Sequence, residues 1–476
     1  MPDLLIELLS EEIPARIQGF AAQELRKNML SFLAEQGLSE IAATAFSTPR
    51  RLTLFITGLP EKSDDYIEER KGPRVDAPQK ALDGFLRSVD LKLDQLTVKR
   101  DGNVDKYFAS IKTPGRISTQ IVAEALEKTI RTFPWPKSMR WGVSSLRWVR
   151  PLKGILCIFI KDAEHQVIDL QLDGIRSDSC TTGHRFMAPD YFTVKDFEDY
   201  KLKLRNAFVI LDNRERSEII LNDANNLAFA NGLDLINDDA LLEEVSGLVE
   251  WPVTLLGKVD KAFLDLPSEV LRASMKEHQK FFSLKNPKTE KIERFITVAN
   301  IESADNGATI LEGNQKVLYA RLSDAKFFWE NDLRLIQKDG LDTWLEKLKN
   351  VTFHNKLGSQ ADKVLRISAL TKKLVGPLAC DGEAAVNGAN ICKSDLISEM
   401  VYEFPELQGV MGRYYAISCG YSDSVAKVCE EHYKPKGPND PVPTVLTSVA
   451  VALADKLDTL LGFWIINEKP TSSKDP

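Results

Sequence analysis

The chain has 476 residues, of which 43% are hydrophobic and 28% charged, and its formal net charge is −7. At roughly 100–200 residues per domain it has room for two to four domains, and its composition excludes a largely disordered or collagen-like polymer. The acidic balance excludes a uniformly basic nucleic-acid coat but leaves a local basic patch open. No apolar run approaches the ~18 residues of a membrane span, so no membrane association is expected. The opening MPDLLIELLSEE has no basic n-region, which argues against a secretory signal. Six scattered cysteines with no CxxC pair fit a reducing, cytoplasmic setting rather than a zinc ribbon or disulfide framework.

In chain order, Leu4 to Leu9 reads as a strand, and Ser10-Glu-Glu-Ile-Pro14 opens a helix running to Gly37. Strands follow at 42–47 and 51–57. Runs at 95–100 and 106–111 flank Asp101-Gly102-Asn103, a hairpin signal. A helix is expected at 118–132, then strands near 155–160, 167–172, 253–256 and 294–300. From about Glu312 the pattern turns helical, with Val317, Leu318, Arg321, Leu322, Ala325 and Phe328 at helical spacing. Further helices are expected near 340–349, 356–375, 393–404, 408–417, 422–431 and 443–466, and no strand. The fold class is therefore α+β: a mixed region, 1–311, with two or more subdomains, followed by an all-helical region, 312–476. A Gly/Pro/Asn-rich linker at 434–441 precedes the last helix, whose strongly apolar stripe requires a partner.

Phosphate-loop, GxGxxG, HExxH and GxSxG signatures are absent. The most distinctive stretch is RTFPWPKSMRWGVSSLRWVRPLK, residues 131–153, with six basic residues, no acid and three interleaved tryptophans. Guanidinium forks grip phosphates and indoles stack on unpaired bases, which makes Lys137, Arg140, Trp141, Arg147 and Arg150 candidate RNA contacts. The competing reading makes the tryptophans core or interface anchors with arginines snorkelling around them. A second run, 271–295, carries seven Lys/Arg against three Glu. It offers Lys276, His278 and Lys280 as phosphate or acceptor-end contacts, or else a solvated helix and hairpin. A third, dispersed set is His354, Glu403, Glu406, Asp455 and Asp458. Asp455 and Asp458, three apart, share a helix face, and with a histidine they could hold a divalent metal and activate water. No His-Asp dipeptide exists in the chain, and capping or surface ion pairing is the simpler reading.

Nine blocks, in order along the chain, carry a resemblance. They are LLIELLSEEIPA, STPRRL, SMRWGVSSLRWVRP, GHRFMAP, ASMKEHQKFF, RLSDAKFFWEND, FHNKLGSQADKV, EFPELQGVMGRYYA and ALADKLDTL. With these the chain resembles the β subunit of bacterial heterotetrameric glycyl-tRNA synthetase. The resemblance implies an α2β2 glycine–tRNA ligase in which the class II α subunit makes glycyl-adenylate from ATP and Mg2+. The β subunit binds and positions tRNA-Gly. It also implies that 312–476 is a domain similar to HD phosphohydrolases with a degenerate metal motif, at which His354, Asp455 and Asp458 stand, and EFPELQG lies about where an intact motif would be. The expected partners are the α subunit and tRNA-Gly. Catalytic residues, metal and cofactor are expected to be none for this chain itself. Neither class II nor class I activation motifs are seen in the sequence. Family β subunits are longer, so an N-terminal fragment, incomplete in its helical domain, is expected. Two other activities remain open at this stage: a metal phosphohydrolase in the helical part, and proofreading of mischarged tRNA in the α+β part.

Overall fold

The computed structural model describes residues 1–39, 41–102, 104–162, 164–437 and 440–468. The chain forms two compact units. One comprises Met1–Asp223, Asp238–Thr254 and Val298–Asn306; the other comprises Ala224–Asn237, Leu255–Thr297 and the chain from Gly307 onward. Residues 224–237 and 255–297, read above as part of the 1–311 region, thus fall in the second unit.

The first unit opens with β1 (Asp3–Ser10), α1 (Ala15–Glu35), β2 (Ala42–Thr48) and β3 (Arg51–Thr57). A three-stranded antiparallel sheet follows, built from β4 (Tyr66–Arg74), β5 (Leu96–Asp101) and β6 (Val104–Thr113), with α2 (Gln79–Val89) between β4 and β5. The hairpin at 101–104 is thus present, although Asn103 itself lies outside the described residues. Then come α3 (Ser118–Arg131), β7 (Leu152–Lys161), β8 (Glu164–Val167), β9 (Gln171–Leu172) and β10 (Ile175–Asp178). The main sheet runs β2-β3-β1-β7-β10-β9, with β8 also paired to β7. A short pair, β11 (Cys180–Thr182) and β12 (Tyr191–Thr193), precedes α4 (Phe197–Asn206), α5 (Asn213–Ala230) and α6 (Asp239–Ser246).

β1 is central, antiparallel to both β3 and β7, and both of its faces are covered. Leu4, Ile6 and Leu8 point to the α1 and α3 side, packing with Leu25, Met29, Ile121 and Leu126. Leu5 points the other way, to Tyr200 and Leu204 of α4. This explains why β1 reads as a continuous apolar run rather than an alternating one. Each fully buried Leu or Ile there contributes about 1.5–3 kcal/mol. In α1 the buried Ala21, Leu25, Met29 and Leu33 recur every fourth residue, the stripe that docks it on the sheet. Gly37, at φ 81°, takes the left-handed conformation that ends the helix.

The second unit contains a sheet of order β13-β15-β16-β14, from β13 (Asp234–Leu235), β14 (Val253–Lys258), β15 (Phe282–Lys285) and β16 (Ile292–Ala299). After α7 (Ser268–Ala273) the helices are α8 (Ala308–Asp339), α9 (Asp342–Lys347), α10 (Gln360–Leu378), α11 (Gly382–Ile391), α12 (Glu399–Glu403), α13 (Val410–Ser418), α14 (Asp423–Glu431) and α15 (Leu446–Ile465). The expectation of no strand beyond 312 is corrected by a small hairpin, β17 (Thr352–His354) with β18 (Gly358–Ser359). Its cause is local. Ser359 and Asp362 form a capping box, which starts α10 at Gln360 rather than at 356. The helix expected at 393–404 is broken into a turn and α12, because the Ser398 hydroxyl caps Val401 N–H at 3.0 Å. α15 buries Ala450, Val451, Ala454, Asp455 and Asp458 and leaves Leu460, Leu461, Trp464 and Ile465 exposed. Among the described residues no helix is long and apolar enough to cross a membrane.

Candidate functional site

The Arg/Trp stretch of the first unit folds as a pinned hairpin. Met139 and Trp148 exchange backbone hydrogen bonds of 2.8 and 3.2 Å. Trp148 is fully buried, edge-on to Trp135 at 4.8 Å and packed on Phe133 at 5.1 Å. At the base of the loop, Asp173 sits in a left-handed turn at φ 46°. Its carboxylate accepts from the Ser144 hydroxyl (2.7 Å), Ser145 N–H (2.9 Å) and Leu146 N–H (2.8 Å). Those bonds, the Ser144 hydroxyl foremost, pull the Asp173 carboxyl down to about 2.

The six cations of this stretch divide into two groups. Arg131 pairs with Glu127 at 2.9 Å, and Lys153 pairs with Glu11. Lys137, Arg140 and Arg147 are exposed and, among the described residues, have no carboxylate partner. Arg150 is exposed too and donates only to the Val149 carbonyl at 3.0 Å. Val143, at the tip, is wholly exposed. Trp148 is therefore a buried anchor, and Trp135 and Trp141, both half-buried, pack against the main core. Arg131 thus turns back to a carboxylate, whereas Arg140, Arg147 and Arg150 are exposed and make no ion pair among the described residues.

In the second unit, Lys276 and His278 lie on a π-turn, Ser274–His278, and Lys280 follows at φ 57°. The turn is anchored by buried Met275, Phe281 and Phe282. His278 is exposed, its ring edge-on to Phe404 at 5.9 Å, while Lys276 and Lys280 are half-buried.

The third constellation assembles differently from the sequence expectation. Asp455 and Asp458 do share the buried face of α15. His354 is not with them: its Nε2 lies 3.2 Å from Glu468, and its ring packs on Phe463 at 5.4 Å. Glu403 instead faces Arg321 at 3.6 Å. The two aspartates meet cations. Lys363 (2.9 Å) and Lys393 (2.7 Å) each hold one oxygen of Asp455. Arg366 grips Asp458 through two bonds, of 2.6 and 3.2 Å. Burial alone would raise the Asp455 carboxyl, but the Lys393 and Lys363 ammonium groups pull the other way, and it is held well below the usual carboxylate range. The histidine nearest Asp455 is His432, which sequence spacing did not single out, with Nε2 at 3.9 Å. Among the described residues no three His, Cys, Asp or Glu side chains are grouped so as to hold a metal ion. The donor set does not fit one, since both Asp455 oxygens already hold ammonium groups. The metal-phosphohydrolase reading built on His354 is corrected accordingly: lysines supply the local positive charge that a metal would.

The family model described as glycyl-tRNA synthetase beta subunit matches residues 4–476. The chain belongs to that family. It is similar to the glycine–tRNA ligase beta subunit of Ruegeria sp. (strain TM1040), 60% identical over 477 residues, covering 100% of this chain and 69% of that protein. It is similar to the same subunit of Cereibacter sphaeroides (strain ATCC 17023), 57% identical over 476 residues, covering 100% of this chain and 68% of that protein. The Phenylobacterium zucineum subunit is 52% identical over 481 residues, covering 100% of this chain and 70% of that protein.

Placed on the fold, several of the blocks that carried the family resemblance prove to be core. LLIELLSEE, STPRRL and the Gly183 segment converge on a buried ion network that sequence reasoning missed. Arg51, with no exposed surface, lies 3.2 Å from Glu7 and also pairs with Glu250. Glu7 receives the Thr181 and Tyr200 hydroxyls, each at 2.5 Å, and Glu250 receives the Thr48 hydroxyl at 2.8 Å. Burial pushes the Glu250 carboxyl up, but the Arg51 guanidinium, the Thr48 hydroxyl and Arg50 together outweigh it, so the Glu250 carboxyl is held below its ordinary range. The readable signal was Glu7 itself, a lone acid inside an apolar strand, which needs a buried cation.

Proposed function

We propose that this chain acts within a glycine–tRNA ligase as the subunit that binds and positions tRNA-Gly, with the 131–153 hairpin as part of its RNA face. One observation supports this face most strongly: four exposed cations, Lys137, Arg140, Arg147 and Arg150, stand without carboxylate partners among the described residues of an acidic chain, on a loop pinned by Asp173. A polyanion gains from such preset charges because little side-chain or loop ordering remains to be done on binding. Trp141, half-buried beside Arg140, offers a ring edge for an unpaired base. Lys276, His278 and Lys280 are a second RNA-contact candidate.

In this reading activation chemistry belongs to a catalytic α subunit that uses ATP and Mg2+. The present chain does not carry that activation chemistry, works in the cytoplasm, and joins the α subunit in a heterotetramer. The α+β region, 1–311, carries tRNA and subunit contacts, and the helical region, 312–476, is an HD-like domain with a degenerate metal motif. Asp455 and Asp458 stand at that motif with lysine and arginine partners in place of a metal.

The test is glycylation of tRNA-Gly with ATP by this chain alone, by the α subunit alone, and by their mixture. Charging only in the mixture is expected. Charging by this chain alone would overturn the division of labour. A mixture that stays inactive, when α with a full-length relative is active, would show that residues 1–476 do not suffice for the role.

A further inference from the structure

The second unit holds a cavity of about 480 Å3 at the meeting of α10, α14, α15 and the turn after α11. Its walls are unusual in charge. Lys363 and Lys393 are each about 4% exposed, although lysine is rarely buried. Lys456 adds a third ammonium, held by the carbonyls of His432 (3.3 Å) and Lys434 (2.8 Å). Among the described residues Asp455 is the one carboxylate on the lining; Asp458, held by Arg366, also lies 3.8 Å from Lys363. The two buried lysines are thus matched by Asp455 and Asp458, and the exposed Lys456 ammonium, which has no carboxylate partner among the described residues, leaves the lining with one further positive charge.

Among the described residues the lining also carries buried polar atoms without a hydrogen-bond partner: the Tyr433 hydroxyl, Asp455 Oδ1 (ion-paired to Lys363) and, besides these, two neutral acceptors. His432 is fully buried, and its Nδ1 lies 2.9 Å from the Val428 carbonyl, so the neutral ring carries its proton there. Nε2 is then a bare acceptor, and it has no partner. Gln360 Oε1 is likewise buried and unpartnered.

The geometry points to a metal-free binding site for a nucleoside phosphate, its phosphate between Lys363, Lys393 and Lys456, and a hydroxyl or base N–H of the nucleoside donating to His432 Nε2 and Gln360 Oε1. The lysines take the part that a divalent cation plays at many phosphate sites. The size lies within the range of small-ligand pockets. The site is independent of the hairpin reading, since no residue is shared. The same chemistry is offered by a free mononucleotide and by the 5′-phosphorylated end of an RNA strand.

The experiment is calorimetric titration of the full chain, in EDTA, with inorganic phosphate, with AMP and with a 5′-phosphorylated RNA trinucleotide. Binding of AMP or of the trinucleotide, tighter than inorganic phosphate, is expected. Binding of AMP assigns a free nucleotide as the ligand, and binding of the trinucleotide alone assigns an RNA end. Lys393→Met should weaken it about tenfold or more. Because that variant disturbs a buried ion pair, the exposed Lys456→Met serves as the second, and should weaken it severalfold with the fold intact. No binding of any probe at millimolar concentration overturns the proposal, as does binding that needs a divalent metal, equal affinity for phosphate and AMP, or titrations unchanged in both variants.

Discussion

The hairpin at 131–153 and the lysine cluster around Asp455 use the same kind of charge in opposite ways. In the hairpin four of the six cations are exposed and lack carboxylates among the described residues, while Asp173 spends most of its lone pairs on hydroxyls and backbone N–H groups. In the cluster the cations are buried and anchored on Asp455, with Lys393 also over the Tyr433 ring at 4.0 Å and Lys363 over Phe353 at 4.1 Å. Exposed charges without partners act at a distance and are screened by salt; buried paired charges act only at contact and are part of the fold.

The largest expected consequence follows from removing the shared anion. Asp455→Ala would leave Lys363 and Lys393 buried with most of their compensation gone, and breaking such a cluster costs about 3–5 kcal/mol. Urea unfolding followed by circular dichroism should show it. An effect under 1 kcal/mol would mean that the lysines are hydrated and that the contrast between the two regions is false. By comparison, Arg140→Ala, which removes an exposed cation with no partner, should leave stability within about 0.5 kcal/mol.

The cluster should also be acid-labile in two stages, and the signs can be worked out. His432 is buried, and desolvation pushes its imidazole well below the ordinary value. In the unfolded chain it binds a proton near pH 6.5, so stability from keeping it neutral falls as pH drops below about 6.5, by at most ~1.4 kcal/mol per pH unit. Asp455 is depressed, so its contribution is complete above the unfolded value near ~3.9 and is lost as pH falls below that. Unfolding free energy should therefore begin to decline below about pH 6.5, before Asp455 titrates, while the buried Asp395, pushed up to about 6 by desolvation, opposes the decline because its folded form takes up a proton first. His432→Gln should flatten that upper stage and leave the lower one. A slope that survives in the variant would assign it to another group.

For the hairpin the matching test is salt. If Arg140 and Arg147 each meet one phosphate, the double alanine variant should lower the slope of log affinity for tRNA against log salt by about 0.7–0.9 per arginine. The loss should be largest at low ionic strength. An unchanged slope would remove these residues from the RNA face, and the exposed tip, with Val143, would then be read as a protein contact.

How far the sequence reached differs between the regions for a physical reason. The bounds of β3 are those read from the residues, β1 is one residue longer at each end, and α3 is one residue shorter at its C-terminal end. Long apolar periodicity carries that information locally. The strands β10, β11 and β12, of four, three and three residues, have too few positions to show a period. The hairpin cations were visible because a run of basic residues without an acid is a local property. The partners of Asp455 were not, because they lie 92 and 62 residues away and only packing brings them together. A trace was nevertheless present: Lys363 stands one turn before Ile367 and two before Thr371, on the buried stripe of α10, where an apolar residue is the default.

The smallest effect expected concerns Asp173, and it decides whether the hairpin is preorganised or merely basic. Its carboxylate makes four bonds to residues 144–146 and a fifth contact, 3.3 Å, to Arg131. Asp173→Ala removes all of them but leaves the Trp135–Trp148 packing and the Met139–Trp148 backbone pair. The fold should survive, and the loop should open more often. Trypsin cleaves after Arg140 and Arg147, so the variant should be nicked there severalfold faster at unchanged global stability. tRNA affinity should fall only modestly, because the charges remain and only their ordering is lost. Equal cleavage rates would show that the aromatic anchors alone hold the loop. A loss of affinity as large as that of the double arginine variant would show that placement of the cations matters as much as their number.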